Sequence, residues 1–319
     1  MDGAEVTAKH WDEYVAKHMS GATDHNRAEW MAHPVVQRYR REMSGADSEG
    51  EFLVSRYLEG TRVEHAVGIG AGHSVFELGL LGAGAVDFFD LYDLSPKSLE
   101  LARESAERMG LADRIATHVA DVNGIELGEG RFGLATFYSS LHHVIDLGDV
   151  VAKVARALRP DGMLFAVEYI GPNRFEYGEE ELELARRFYG ALDPRLRHDW
   201  PPAPPSWRAR LRGRPLVPPP TPLPVPDPAQ IAIEDPTEAV HSAEILDSLR
   251  SCFKRVDVTP MGGALALPTW PGLNHDYIFE SPRGVRFVET LIDLDRALTE
   301  SGRLPSYFAL IAASDPLHP

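Results

Sequence analysis

Cysteine is nearly absent: Cys252 stands alone among 319 residues. A single thiol excludes an internal disulfide and a multi-cysteine zinc cage. Beside Phe253 it reads as a small apolar core residue. Long apolar runs are missing too, so no segment is read as spanning a bilayer and no membrane partner is expected. The N-terminus shows neither a basic n-region nor an apolar h-region, and the expectation is a cytoplasmic protein without a secretory leader. Positive charge is in deficit, with 32 Lys and Arg against 48 Asp and Glu and a net charge of -16. Nucleic-acid binding draws on a cationic face, so no nucleic-acid partner is expected. Arg208, Arg210, Arg212 and Arg214 form one local basic patch, read first as a solvated loop. Nothing fixes the oligomeric state, and a homodimer stays open.

What is present is a core-forming composition, 44% hydrophobic, arranged as alternating strands and helices. Between residues 61 and 170 the strand candidates are Val63–Gly68, Val86–Tyr92, Ile115–Val119, Leu134–Tyr138 and Met163–Tyr169. Helix candidates are Ser74–Leu81, Pro96–Arg108 and Asp149–Leu158. Ser95 suits an N-cap, Pro96 the first helical position and Gly110 a helix stop. Strands alternating with helices imply a parallel sheet covered on both faces. The fold class read here is α/β, a Rossmann-like doubly wound sheet of about seven strands.

Flanking segments divide the chain further. Residues 1–60 form a helical cap, in which Trp11, Tyr14, Val15 and His18 fall at helical spacing. Residues 171–240 hold a helix near Glu179–Tyr189 and then a proline-rich stretch, Pro201 to Pro228, with about half of the 25 prolines; they read as a lid-like insertion after strand five. Proline removes backbone donors and favours polyproline II geometry; docking of a proline-recognising module is the second reading. Residues 241–319 complete the sheet through a helix at Ala243–Arg250, a strand at Phe253–Thr259, a helix at Arg283–Ser301 and a strand at Tyr307–Ala312.

The run Val67-Gly68-Ile69-Gly70-Ala71-Gly72 makes a glycine turn after the first strand, and Asp93 ends the second. Glycine lets backbone approach a bulky ligand, and an acid there can accept both ribose hydroxyls. The dinucleotide fingerprint needs glycine at the sixth position; counted from Gly68 that position is His73, and from Gly70 it is Val75. The turn therefore does not fit NAD.

Residues 62–170 resemble the class I S-adenosylmethionine-dependent methyltransferases. The resemblance rests on Gly68, Gly70 and Gly72, on Asp93, on Ala120-Asp121-Val122-Asn123, on Ser139-Ser140-Leu141-His142-His143 and on Leu158-Arg159-Pro160-Asp161-Gly162. It implies S-adenosylmethionine as cofactor, with Gly68, Gly70 and Gly72 at its methionine end. It places Asp93 and Leu94 at the ribose, Asp121 and Val122 near the adenine, and Ser139 beside the sulfonium. Two landmarks depart from the family. Ala66 stands where many members carry an acid that helps hold the cofactor's amino group, and Gly133 lies near the place of an acid early in strand four. Beyond residue 170, Glu168-Tyr169-Ile170-Gly171-Pro172-Asn173-Arg174-Phe175 and Asp235-Pro236-Thr237-Glu238-Ala239-Val240-His241-Ser242 resemble a narrower bacterial subgroup of poorly defined substrate.

Methyl transfer is an in-line displacement in which the protein supplies orientation and, for a hydroxyl or ammonium acceptor, a base. His142, His143 and Glu168 are the catalytic candidates; the histidines read alternatively as packing around the cofactor. Tyr169, Asn173, Arg174 and His241 are candidates for holding a substrate, Asn173 and Arg174 equally for making a turn. Glu238 and His241 are placed at a helix start, where an acid favours the dipole. Trp11, Tyr14, Trp30 and His33 either wall the site or pack in the core. Asp121 and Asn123 are too few for a metal site, and His142 and His143, if extended, diverge, so no metal is expected. The function that follows is O- or N-methylation of a small molecule, a natural product or sugar-type acceptor among the possibilities. Its rivals are cyclisation, elimination or decarboxylation assisted by the same cofactor, and a non-catalytic binding protein.

Overall fold

Apolar strands joined by helices dictate a sheet covered on both sides. The computed structural model describes residue 12, residues 30–199 and residues 221–317. The segment of Trp11, Tyr14, Val15 and His18, the Arg208–Arg214 patch and most of the proline-rich stretch lie outside the described residues. Strands β1 (Val63–Ile69), β2 (Val86–Asp93), β3 (Ile115–Val119), β4 (Phe132–Tyr138) and β5 (Leu158–Tyr169) pair in parallel. Strands β6 (Phe253–Pro260) and β7 (Phe308–Pro316) complete the far edge, β7 antiparallel to both β5 and β6. The seven-stranded sheet runs β3-β2-β1-β4-β5-β7-β6. Strand order reverses between β1 and β4, the switch point at which doubly wound sheets open a crevice at their carboxyl edge.

The helices are α1 (Pro34–Ser44), α2 (Glu49–Leu53), α3 (Val75–Gly82), α4 (Pro96–Met109), α5 (Leu147–Ala157), α6 (Glu179–Gly190), α7 (Pro228–Glu234), α8 (Ile245–Cys252), α9 (His275–Glu280) and α10 (Pro282–Glu300). Ser95 caps α4 by accepting the Ser98 N–H at 3.0 Å, and Gly110 ends it in the left-handed region at φ 69°. On one face of the sheet Val150 and Val154 of α5 and Leu249 of α8 pack with Phe132 and Phe253. On the other, Leu80 of α3, Leu99 of α4 and Phe52 of α2 pack with Phe165. A third cluster joins Val36 and Tyr39 of α1 to Tyr189 of α6, Ile278 of α9, Leu291 of α10 and Trp270. The segments before β1 and after β5 therefore share a core of their own.

Two expectations about the elements are corrected. The run Leu158–Gly162, expected to lie between a helix ending at Leu158 and a strand starting at Met163, is part of β5 as a bulge: Leu158 faces Phe132, and Met163 is the residue that faces Leu134. A Cβ on Gly162 would stand 2.9 Å from the Phe132 carbonyl oxygen, which accounts for glycine there. The helix expected from Ala243 starts at Ile245, preceded by a 3₁₀ turn at Ser242–Glu244. Glu238 thus lies in the turn between α7 and the 3₁₀ segment that His241 caps, and the dipole reading of Glu238 does not hold.

Candidate active site

Strand β1 delivers the chain into the glycine turn with Gly70 at φ 61° and Gly72 at φ 53°, values that L side chains rarely adopt. A Cβ on Gly70 would lie 2.5 Å from the Ser140 Cβ, so the two loops at the switch point meet only because glycine is there. At the end of β2 the Asp93 carboxylate accepts the Gly72 N–H at 2.7 Å and the Ser95 N–H at 2.8 Å. Burial raises its pKa, while the two amides pull it down. Ser95 Oγ donates to the Asp12 carboxylate at 2.5 Å. Asp121 accepts from the backbone and side-chain nitrogens of Asn123, at 2.9 and 2.8 Å. Asn123 Oδ1 in turn accepts from Ile145 and Asp146, which ties the loop after β3 to the loop after β4.

A cavity of about 1210 Å³ opens on these loops. Gly70, Gly72, Asp93, Leu94, Asp121, Val122 and Ser139 line it; Gly68 does not. Its wall is extended by Met31, Arg40 and Ser55 from before β1 and by Pro236 and Thr237 from beyond β5.

The loop after β4 carries the remaining chemistry. Ser139 sits at φ 53°, strained for a serine, and turns the chain so that consecutive amides face one carboxylate. Glu168 Oε1 accepts the Ser140 and Leu141 N–H groups at 2.8 and 2.7 Å, and its Oε2 lies 2.6 Å from His142 Nδ1. Glu168 is buried at 1% exposure and His142 keeps 7%; both stand behind the lining of the large cavity, which Ser139, Ser140 and His143 form here. Burial lowers the His142 pKa, but the Glu168 carboxylate, with Glu238 and Asp235, outweighs it and leaves it raised. His143 lines the cavity, its Nδ1 3.2 Å from Thr237 Oγ1. Glu238 faces both rings, 3.8 Å from His142 Nε2 and 3.7 Å from His143 Nε2.

The two histidines share a 3₁₀ turn, with ring centroids 4.3 Å apart. They are not extended, so the geometric ground for expecting no metal fails. Together with Glu238 they bring ligand atoms within 4.8 Å of one another. Separations of 3.7–3.8 Å are too long for direct hydrogen bonds and suit a group lying between them.

The substrate candidates lie elsewhere. Tyr169 is buried among Phe175, Tyr307 and Phe308 and donates its hydroxyl to the Pro172 carbonyl. Asn173 bonds Glu244 and the Ala243 N–H. His241 Nδ1 lies 3.9 Å from Glu244. Trp30 packs on Phe308 at 5.0 Å, and His33 caps α1 by accepting the Val35 N–H at 3.2 Å. None of the five lines the large cavity. Arg174 forks onto the carbonyls of Asp235, Pro236 and Glu238. It positions the turn that presents Asp235, Thr237 and Glu238 to the histidines. Arg174→Ala is therefore expected to lower kcat about tenfold, with cofactor affinity unchanged. Arg174→Lys should restore little, because one ammonium cannot span three carbonyls. Steady-state kinetics beside a cofactor titration check both.

Residues 65–166 match the family model described as a methyltransferase domain. The chain is 28% identical over 172 residues to a ubiquinone biosynthesis O-methyltransferase of Methylocella silvestris, covering 52% of this chain and 63% of that protein. It is 26% identical over 153 residues to an erythromycin 3''-O-methyltransferase of Saccharopolyspora erythraea, covering 45% and 48%. The matches thus span less than two thirds of either relative. Among solved structures, a geranyl diphosphate methyltransferase in complex with SAM aligns at a TM-score of 0.47 and 17% identity, over 84% of each chain.

Proposed function

We propose that this chain, whose residues 65–166 form a class I S-adenosylmethionine-dependent methyltransferase domain, methylates an oxygen of a small molecule. The observation that carries the proposal is the buried His142–Glu168 pair at the carboxyl edge of the sheet, on the loop that meets the glycine turn through Ser140. When bound, S-adenosylmethionine supplies an electrophilic methyl group on a sulfonium. The residues present fit it: Gly70 and Gly72 admit close backbone approach, and Asp93, oriented by two amides, has lone pairs left for ribose hydroxyls. Asp121 and Val122 would border the adenine. Small-molecule sites usually enclose about 300–1,000 Å³, so the observed 1210 Å³ leaves room for an acceptor beside the cofactor.

The protein's own work is orientation and proton removal. Glu168 fixes the His142 ring through Nδ1, which leaves Nε2 as the acceptor of a hydroxyl proton. His143 is the histidine that lines the cavity, and its ring packs against that of His142. The ubiquinone biosynthesis O-methyltransferase and the erythromycin 3''-O-methyltransferase, both similar to this chain, support this choice of acceptor atom.

The test is incubation with S-adenosylmethionine and a panel of phenols, sugars and macrolides, following S-adenosylhomocysteine and a methylated acceptor together. Stoichiometric appearance of both supports the reading. An altered acceptor without S-adenosylhomocysteine would turn it towards cyclisation or elimination. Activity that survives dialysis against a chelator supports proton transfer to His142. Activity lost and restored by a divalent cation would reassign His142, His143 and Glu238 as a metal centre.

A further inference from the structure

Glu77 stands in the first turn of α3, 1% exposed, directly beneath the glycine turn. It borders the large cavity. Gly68 makes room for it: a Cβ there would lie 3.1 Å from Glu77 Cγ and 3.3 Å from its Oε1. Gly68 pairs with Thr136 and Ala66 with Leu134 across β1 and β4, so positions 66, 68 and 136 share one face of the sheet. That face is the one Glu77 covers. The carboxyl missing at Ala66 is thus replaced on the same face, from the following helix.

Its surroundings suit a group that changes charge. Burial, with a smaller contribution from Asp93, raises the Glu77 pKa to about 7 against its own backbone amide and the Thr136 hydroxyl. Thr136 Oγ1 lies 2.9 Å from Glu77 Oε1 and 3.4 Å from the Val67 carbonyl. It can donate to an ionised Glu77, or accept from a protonated one while donating to Val67. Both states are served. No cation among the described residues contributes to holding Glu77 ionised. A buried carboxylate without a cation is costly, and a ligand that brings one removes the cost.

Building on the cofactor reading above, we propose that Glu77 is the carboxylate that receives the α-ammonium of S-adenosylmethionine, and that it gives up a proton when the cofactor binds. The experiment is calorimetric titration of the full chain at pH 6 in buffers of different ionisation enthalpy. With Glu77 mostly protonated in the free protein, about 0.9 proton should leave per cofactor bound. Affinity should be about fivefold weaker at pH 6 than at pH 7. Glu77→Gln, close in shape, should bind more weakly, release no proton and lose that pH dependence.

Two ligands locate the cation without any substitution. S-adenosylhomocysteine keeps the ammonium but not the sulfonium, and should expel the same proton. 5′-Methylthioadenosine has neither charge and should expel none. Release by S-adenosylmethionine alone would move Glu77 to the sulfonium and overturn the assignment. Binding of all three ligands without proton release would overturn it while leaving the cofactor reading intact. No binding of any ligand would overturn both.

Discussion

Glu168→Gln is expected to lower kcat by about 10²–10⁴-fold, the usual range for losing a positioned general base. Glutamine's carbonyl can replace Oε1 and keep accepting the Ser140 and Leu141 amides. Its NH₂ group then occupies the place of Oε2, 2.6 Å from His142 Nδ1. That nitrogen must become an acceptor, so the ring proton moves to Nε2 and the base is lost. The loop stays in place, and cofactor affinity should change by less than about twofold. A near-isosteric change with an intact cofactor site and a collapsed kcat is an outcome that mere loss of packing does not produce.

The same pair sets a pH dependence. The His142 pKa is held above the ordinary 6.5 because the surrounding carboxylates outweigh burial. A base works in its neutral form, so at saturating cofactor kcat should climb with pH through a midpoint above 6.5 and level off beyond it. The stability term has the opposite sign. A histidine whose folded value is raised stabilises the fold fully below 6.5, and that contribution disappears as pH rises through the folded value. In Glu168→Gln the kcat profile should flatten.

Asp93→Ala is expected to weaken cofactor binding by about a hundredfold or more. Hydrogen bonds to a charged group contribute about 1.5–3 kcal/mol each, and about 1.4 kcal/mol is a factor of ten in affinity. With Asp93 in the proposed role at the ribose, the substitution removes the acceptor for its hydroxyls; it also leaves the Gly72 and Ser95 amides without their present partner. Asp93→Asn keeps one oxygen and should lose about tenfold. Calorimetry on the three proteins orders them. Equal affinities would remove Asp93 from the cofactor site.

The sequence is most legible where local chemistry decides the structure. The Ser95 cap, the Gly110 stop and the β1–β3 strands follow from neighbours a few residues apart, and β7 joins the far side of the same sheet antiparallel, between β5 and β6. The β5 bulge was not readable, because it depends on the Phe132 carbonyl across the sheet. Within the site, the glycine turn and Asp93 are local features of one strand-turn-helix-strand unit. Glu238 is not. It reaches His142 and His143 only because Arg174 folds its segment back, and no spacing in the chain announces that contact. Glu77 was hidden for a different reason. An acid in the first turn of a helix reads as a partner of the dipole, and only the space above Gly68 shows that it points under the glycine turn.

The central claim is that the crevice between β1 and β4 holds S-adenosylmethionine. Calorimetric titration of the unmodified chain with S-adenosylmethionine tests it most directly. One saturable site per chain, with a Kd between about 1 μM and 1 mM, the range in which enzyme KM values commonly lie, is the predicted result. The absence of binding by a folded protein, with equilibrium dialysis agreeing, would contradict it.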